Sequence, residues 1–544
     1  MDTVKTTLRD SAPMRWLMLV LISGLMFSTY YFQDFFSPLK GLMQSDLGIN
    51  AEEFGRIISQ TTIANMFGMI IIGGIILDKW GIRIAGLLFG GLATLGAVVT
   101  ALAASGAFGT EKSNVLTGLI IGRILFGSGL EAICVIVSKT VVKWFLGYEL
   151  ALAMAINIGF GRLGSAMAIA ISLDVAGKTV SPAAILAASI VAISLLFFLA
   201  YLVFDVRLDR QTGAGKAGAD PEEEFKFSDL AKLATDKSFI YITLLCVAFY
   251  SAVFPFIQYA PDLLVNKFGF SYQLPESAEI VLFGSKSLGA VMVYLIVFAF
   301  ALSVTLIPKN LKAARAKYTA IAVILGLFAV LVLLVREKLA MWMVNGPKTA
   351  SLIPLGTIIF TPIFGSIVDK KGKAASLMVV GSLLLIFAHL SLSIFNIKLL
   401  AYMGLLSLGI AFSLVPAAMW PSVAKIVPQH RLGTAYASMF TVQNWGLYAF
   451  FWGIGALLLK VNTSVVKALD EAKTALVAGG MNAEQAGQEV IKLQAAGKLP
   501  YYNYTWPILT LVFCGVISIF LAYMLKRADK EQGYGLEELK KPAA

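Results

Sequence analysis

Charged or Gly/Pro/Asn-rich breaks divide the chain into fourteen predominantly apolar runs: 14 to 37, 54 to 77, 84 to 104, 115 to 138, 151 to 172, 182 to 204, 239 to 265, 288 to 307, 318 to 335, 348 to 368, 374 to 395, 399 to 424, 433 to 459 and 504 to 525. A helix rises about 1.5 Å per residue and the hydrocarbon core of a bilayer is about 30 Å thick, so about 20 apolar residues suffice to cross it. Backbone polar groups in lipid must be paired within the segment, which makes each run a helix. The expected class is therefore an all-α, polytopic membrane protein. Composition agrees, with 58% hydrophobic and 14% charged residues, where soluble domains carry about 25% charge.

Three cysteines, Cys134, Cys246 and Cys514, all lie inside apolar runs, and the only histidines are His389 and His430. That leaves no material for a disulfide framework, a metal centre or a catalytic triad, and no nucleophile–base spacing occurs. No enzyme activity, cofactor or metal is expected. The net charge of +12 would suggest nucleic acid in a soluble protein. In a membrane protein its placement among loops matters instead, and the bilayer rather than nucleic acid is the partner. With fourteen spans both termini share one side, and Lys and Arg concentrate in the loops of that side, which is expected to be cytoplasmic. Met1 to Pro13 precedes the first run without a small-residue cleavage pattern, so that run is expected to stay in the mature protein.

Two loops repeat. GGIILDKWGIR carries Gly74, Asp78, Lys79, Gly81 and Arg83; FGSIVDKKGK carries Gly365, Asp369, Lys370, Gly372 and Lys373, with the same Gly/Asp/Gly spacing. A tight turn between helices needs the glycine, and the acid followed by bases can lock neighbouring helix ends. In this respect the chain resembles the major facilitator superfamily, whose two six-helix halves each carry such a loop between their second and third helices. The resemblance implies two six-helix bundles and a gating or conformational role for Gly74, Asp78, Lys79, Gly81, Arg83, Asp369 and Gly372. Eight helix steps separate the two loops where six are expected, so two helices are extra. The runs 288 to 307 and 318 to 335 are the candidates, because the basic loop between them, with Lys309, Lys312, Arg315 and Lys317, belongs on the cytoplasmic side. The expected organisation is an N-terminal bundle over 1–206, a central loop over 207–237, a C-terminal bundle over 238–525 and a tail over 526–544. The second bundle includes the inserted pair at 288–335 and an external loop at 461–503. VVKALDEAKTALVAGG and AEQAGQEVIKLQ in that loop read as two amphipathic helices with a glycine break, and Asn462 and Asn503 fit the glycosylation pattern.

Ionisable groups at membrane depth are costly unless paired or facing water, so each is a candidate for function. GRILFGSGLEAI in the fourth run holds Arg123 and Glu131, and NIGFGRLGSA in the fifth holds Arg162. Glu131 and Arg162 each lie twelve residues from the cytoplasmic end of their helix, about 18 Å deep. Either they form a static ion pair, or they clamp a zwitterion, with Arg162 on a carboxylate and Glu131 on an ammonium; the pair can also close on itself when empty. Arg123 either belongs to a superfamily signature, with a part in proton coupling, or bonds exposed carbonyls beside close-packed glycines. Asp34, in YYFQDFF, either lines the cavity, where it or Glu131 could carry a coupling proton, or caps its helix. Tyr30, Tyr31, Tyr250, Tyr259, Trp420, Gln443 and Asn444 are candidates to complete a substrate cavity.

FGSGLE, with Trp144 thirteen residues after Glu131, then GRLGS, together with Ala418 to Tyr448 and Val253 to Ser271 followed by IIFTPIFGSIVDKKGK, resemble one branch of the superfamily, that of lysosomal dipeptide transporters and their bacterial relatives. That branch uses an acid on the fourth helix and an arginine on the fifth, the positions of Glu131 and Arg162, so the resemblance implies dipeptide transport by alternating access. The chain departs from it in lacking an acidic dileucine signal, which favours a bacterial inner membrane over a lysosomal one. It also lacks the ExxER signature of proton-coupled peptide symporters, which leaves symport and uniport both open. The other readings are an organic-anion or sugar carrier, in which Glu131 is only a counter-ion or proton site, and a non-transporting sensor or scaffold. The sequence assigns no accessory subunit.

Overall fold

The computed structural model describes residues 7–212 and 227–538, so part of the expected central loop and the end of the tail lie outside the described residues. The principal helices are α1 (Ala12–Asp34), α2 (Ala51–Met66), α3 (Met69–Ala104), α4 (Lys112–Phe145), α5 (Leu150–Ala176), α6 (Ser181–Thr212), α7 (Lys237–Phe268), α8 (Lys286–Asn310), α9 (Ala314–Leu334), α10 (Leu352–Lys371), α11 (Ala374–Ser393), α12 (Lys398–Ile426), α13 (Leu432–Val461), α14 (Thr463–Ala478), α15 (Ala483–Ala495) and α16 (Thr505–Gln532). No strand occurs among the described residues.

Among the described residues thirteen helical segments are long and apolar enough to cross a membrane. The expected fourteen are recovered at Gly81, where the backbone of α3 leaves helical geometry (φ 77, ψ 174) and the helix turns. Only glycine adopts that conformation without strain. Ala51–Met66 is short, but the chain passes Gly68, itself left-handed at φ 84, and runs on into the first limb of α3. Together they make the second span; the limb after Gly81 is the third.

Within the N-terminal half, α4 lies along α3 and α1 lies between α5 and α6; in the C-terminal half, α11 packs on α12 and α16, and α7 on α13 and α16. The halves meet where α2 packs on α13 and where α5 meets α8 and α10. Packing between spanning helices relies on small residues because lipid offers no hydrophobic drive. A side chain at Gly127 of α4 would overlap the backbone carbonyl of Thr61 on α2, and one at Gly164 of α5 would overlap that of Phe27 on α1. Gly127→Ala is expected to destabilise the protein by about 1–3 kcal/mol, read as a lower unfolding midpoint in detergent; an unchanged midpoint would show that α2 and α4 are free to separate.

The inserted pair is unequal. α8 sits against both halves: Phe298 covers Gly159 and meets the ring of Phe160 at 5.3 Å on α5, and Tyr294 bonds Ser351 just before α10. α9 has no buried residue and stacks on α8 through Phe328 against Phe300, at 3.8 Å. The loop after α13 forms the expected hairpin, α14 and α15, broken at Gly479 and Gly480. It lies on the short helix Lys40–Leu47 that follows α1: Gly487 packs on Ser45, and Lys473 donates to the Ser45 carbonyl at 2.7 Å. Asn462 is buried, its amide bonded to the backbone of Asn503 in both directions, so that side chain is structural and not presented for glycosylation.

Candidate functional site

A cavity of about 430 Å³ lies between the halves at mid-depth. From the N-terminal half α1 contributes Tyr30 and Gln33, α4 contributes Glu131 and Cys134, and α5 contributes Arg162. Opposite them stand Tyr250 and Phe254 of α7, Phe412 and Trp420 of α12, and Phe440, Gln443 and Asn444 of α13. The equal helical depth of Glu131 and Arg162 therefore does bring both to one space.

The static ion pair does not form. No ion pair or hydrogen bond joins Glu131 to Arg162 among the described residues. The Arg162 guanidinium instead lies over the ring of Phe412, at 4.2 Å, and near that of Tyr30, at 5.8 Å, with its donors left to the cavity. Glu131 faces the amide of Asn444 across the interface between the halves. An arginine fork without an acceptor in a low-dielectric space has a strong demand for an anion.

Two expected cavity residues lie elsewhere. Tyr31 faces away, into the packing beside Ser172 on α5, because adjacent helical positions point about 100° apart. Tyr259 is one turn too far along α7; its hydroxyl donates to the Phe451 carbonyl at 2.9 Å, between Gly55 and Gly455, where α2 crosses α13. Asp34 neither lines the cavity nor caps α1. It is buried and accepts from Ser165 of α5 and from Gln258 of α7, which ties the two halves together. Arg123, fully buried, donates to the carbonyls of Phe32 (2.9 Å) and Gln33 (3.2 Å) at the end of α1, and Gly122 and Gly129 beside it pack against the backbone of α3. Its geometry is thus the carbonyl-bonding one.

On the face that carries the termini, the first repeated loop is clamped. Lys139 reaches Asp78 at 2.7 Å; Arg83 and Lys143 both hold Asp205 and Asp209 on α6. Lys79 is exposed, and a side chain at Gly74 would meet nothing. In the second loop Gly372 has φ 62 and Lys373 is left-handed at φ 56, and Glu537 from the C-terminal segment bonds the hydroxyl and amide of Ser376 at the start of α11. The side chain of Asp369 lies outside the described positions. Asp205, Asp209 and Lys143 were missed from sequence, although an acid pair four residues apart near the end of the sixth run was visible.

A second space of about 650 Å³ runs from Tyr148 and Glu149 on this face between α5, α8 and α10 to Arg162, and shares Ile158, Arg162 and Thr361 with the central cavity. The opposite face is shut. Lys40 and Asp262 form a buried pair at 2.8 Å, each about 97% covered, and the hydroxyls of Tyr272 and Tyr504 bond the same carboxylate. Burial, and then the Asp262 charge, hold the Tyr272 phenol well above its ordinary value, so it remains a donor. The Lys40 ammonium lies over Tyr502 at 4.4 Å. Pro261 removes the amide that would pair with the Ile257 carbonyl, and Ser37 donates to that carbonyl at 2.8 Å. Lys348 bonds Asp174 and the Ala170 carbonyl at the far end of α5. None of these gate residues was singled out in the sequence, since Lys40, Asp262 and Lys348 sit at span ends, where charges are ordinary.

Comparison with known proteins agrees with this architecture. The family model of the Major Facilitator Superfamily matches residues 22–347. The lysosomal dipeptide transporter MFSD1 of Danio rerio is 25% identical over 458 residues, which cover 82% of this chain and 80% of the relative. That of Homo sapiens is 26% identical over 449 residues, covering 80% and 77%. Among solved structures, a bacterial homologue of the human lysosomal transporter Spinster, in an inward-facing and occupied conformation, aligns with a TM-score of 0.57 at 12% identity, over 98% of this chain and all of the other. The nucleoside transporter NupG aligns with a TM-score of 0.52 at 14% identity, over 94% and 99%. These alignments bear on fold alone. Since the family model spans more than half of the chain and the helices pack in the matching arrangement, the protein belongs to the Major Facilitator Superfamily and is a multi-pass membrane transporter.

Proposed function

We propose that the chain transports small zwitterionic peptides, dipeptides above all, by alternating access. The observation that carries this reading is the separation of Glu131 and Arg162: opposite charges on adjacent helices face one cavity, and neither is neutralised by the other. A dipeptide supplies both missing partners, its carboxylate to Arg162 and its ammonium to Glu131. The names of the MFSD1 relatives support the same substrate class. An organic anion would satisfy Arg162 alone. Asp34, bonded across the halves through Gln258, is a carboxylate beside the cavity helices whose surroundings change when the halves part, which supports it as a site for a coupling proton. Residence in a bacterial inner membrane with the termini cytoplasmic is part of this reading, and the open path from Arg162 then leads to the cytoplasm.

Purified protein is expected to gain thermal stability with Ala-Ala, and to gain none with N-acetylated or C-amidated Ala-Ala. Ligand that binds only the folded state at 100 times its Kd stabilises by about 2.7 kcal/mol. Equal stabilisation by the N-acetylated form would favour the organic-anion reading. Equal stabilisation by both blocked forms would overturn the clamp.

A further inference from the structure

Glu131 and Arg162 account for the two ends of a zwitterion but not for the wall facing them. That wall belongs to the C-terminal half and is built of rings. Phe254 and Tyr250 stack at 5.3 Å, and Phe412 meets them edge-on at 5.4 and 6.4 Å. Trp420 stacks on Tyr250 at 6.3 Å and on Phe440 at 5.0 Å. The Trp420 indole N–H donates to the Tyr250 hydroxyl at 3.1 Å, which uses the indole's one polar donor, so that the surface of the array is mostly ring carbon with the Tyr250 O–H as its remaining donor.

Charge is scarce here. Among the described residues lining the cavity only Glu131 and Arg162 are acidic or basic side chains, and Asp34 and Arg123, in the N-terminal half, are engaged by partners of their own. A third charge brought by a substrate side chain would have no counter-ion, and an unpaired charge in a desolvated space is strongly disfavoured. The rings do not offer a cation site either. Trp420 is already stacked with Tyr250 and Phe440, and the Phe412 ring carries the Arg162 guanidinium, which would repel a second cation.

We infer that the two halves divide recognition: the N-terminal half holds the charged ends of the peptide, and the aromatic array of α7, α12 and α13 selects its side chains, favouring neutral dipeptides with an aromatic or large aliphatic residue over small or charged ones. Apolar area laid on the rings is rewarded in proportion to its size. The inference rests on the zwitterion clamp, and its test separates the two.

The measurement is uptake of labelled Ala-Ala into proteoliposomes, competed by unlabelled Phe-Ala, Leu-Ala, Gly-Gly, Lys-Ala and Glu-Ala. Phe-Ala and Leu-Ala are expected to inhibit at concentrations at least about tenfold below the other three. In Phe440→Ala and Phe254→Ala the advantage of Phe-Ala over Gly-Gly is expected to shrink. Because a cavity variant can fail to fold, the wild-type panel decides by itself. Equal inhibition across the panel, or Lys-Ala or Glu-Ala matching Phe-Ala, overturns the side-chain inference and leaves the clamp standing. Absence of Ala-Ala uptake, with no binding of any free dipeptide, overturns the clamp and the inference with it. A preference unaltered in both folded ring variants removes the array from the role.

Discussion

Replacing Arg162 by alanine is expected to lower dipeptide uptake by about 30-fold to 3,000-fold while leaving the unfolding midpoint of the empty protein close to wild type. The two halves of this expectation come from one observation. Arg162 makes no hydrogen bond or ion pair among the described residues, so the empty protein loses little but ring contact when the guanidinium goes. The bound state loses the only cationic side chain lining the cavity among the described residues. Removing one partner from a desolvated charge pair costs about 2–5 kcal/mol, and each 1.4 kcal/mol is a factor of ten. Arg162→Lys keeps the charge but not the planar fork and should fall between the two. Glu131→Gln should show a similar loss of uptake, through the substrate ammonium. Uptake within twofold of wild type in both Arg162→Ala and Glu131→Gln would remove the pair from the binding site; a large fall in the midpoint of Arg162→Ala would make its role structural.

The second large effect is expected at the closed face. Asp262 gathers Lys40, Tyr272 and Tyr504, which come from the segment after α1, the segment after α7 and the start of α16. Changing Asp262 to alanine leaves the Lys40 ammonium buried without a counter-charge, and breaking such a pair costs about 3–5 kcal/mol. That cost falls on the conformation in which this face is shut, so the balance should move towards the opposite opening. Cys134 is a native reporter: it lines the cavity, whereas Cys246 and Cys514 are buried. A membrane-impermeant maleimide applied from the closed face should label Cys134 slowly in wild type and much faster in Asp262→Ala. Replacing both partners, Lys40→Met with Asp262→Leu, should restore much of the protection, since no charge is then stranded. Unchanged labelling in Asp262→Ala would show that the closure is held elsewhere, for example by Lys348 and Asp174.

What could be read in advance follows from the physics of each feature. Span positions depend only on local apolar length, and the helices occupy the expected runs, including the inserted pair and the hairpin after α13. The depth of Glu131 and Arg162 depends only on helical rise along two consecutive helices, and that arithmetic placed them in one cavity. Tyr31 lies away from the cavity because lining depends on the rotation of a helix about its axis, and Tyr259 because it sits further along α7. A helix apolar on every side has no polar face to betray that rotation.

The gate was hidden for a related reason. Lys40 and Asp262 are 222 positions apart, and each by itself resembles an ordinary charge at a span end. Sequence determined the class, the number of crossings, the repeat and the scarcity of charge within the membrane, because these follow from lipid solvation and chain periodicity. The tertiary structure alone decided which charges meet, which remain open to a ligand, that one face is shut and the other open, and that α8 contacts both halves while α9 remains exposed. Those outcomes arise from helix rotation and from contacts between distant segments, which no local pattern encodes.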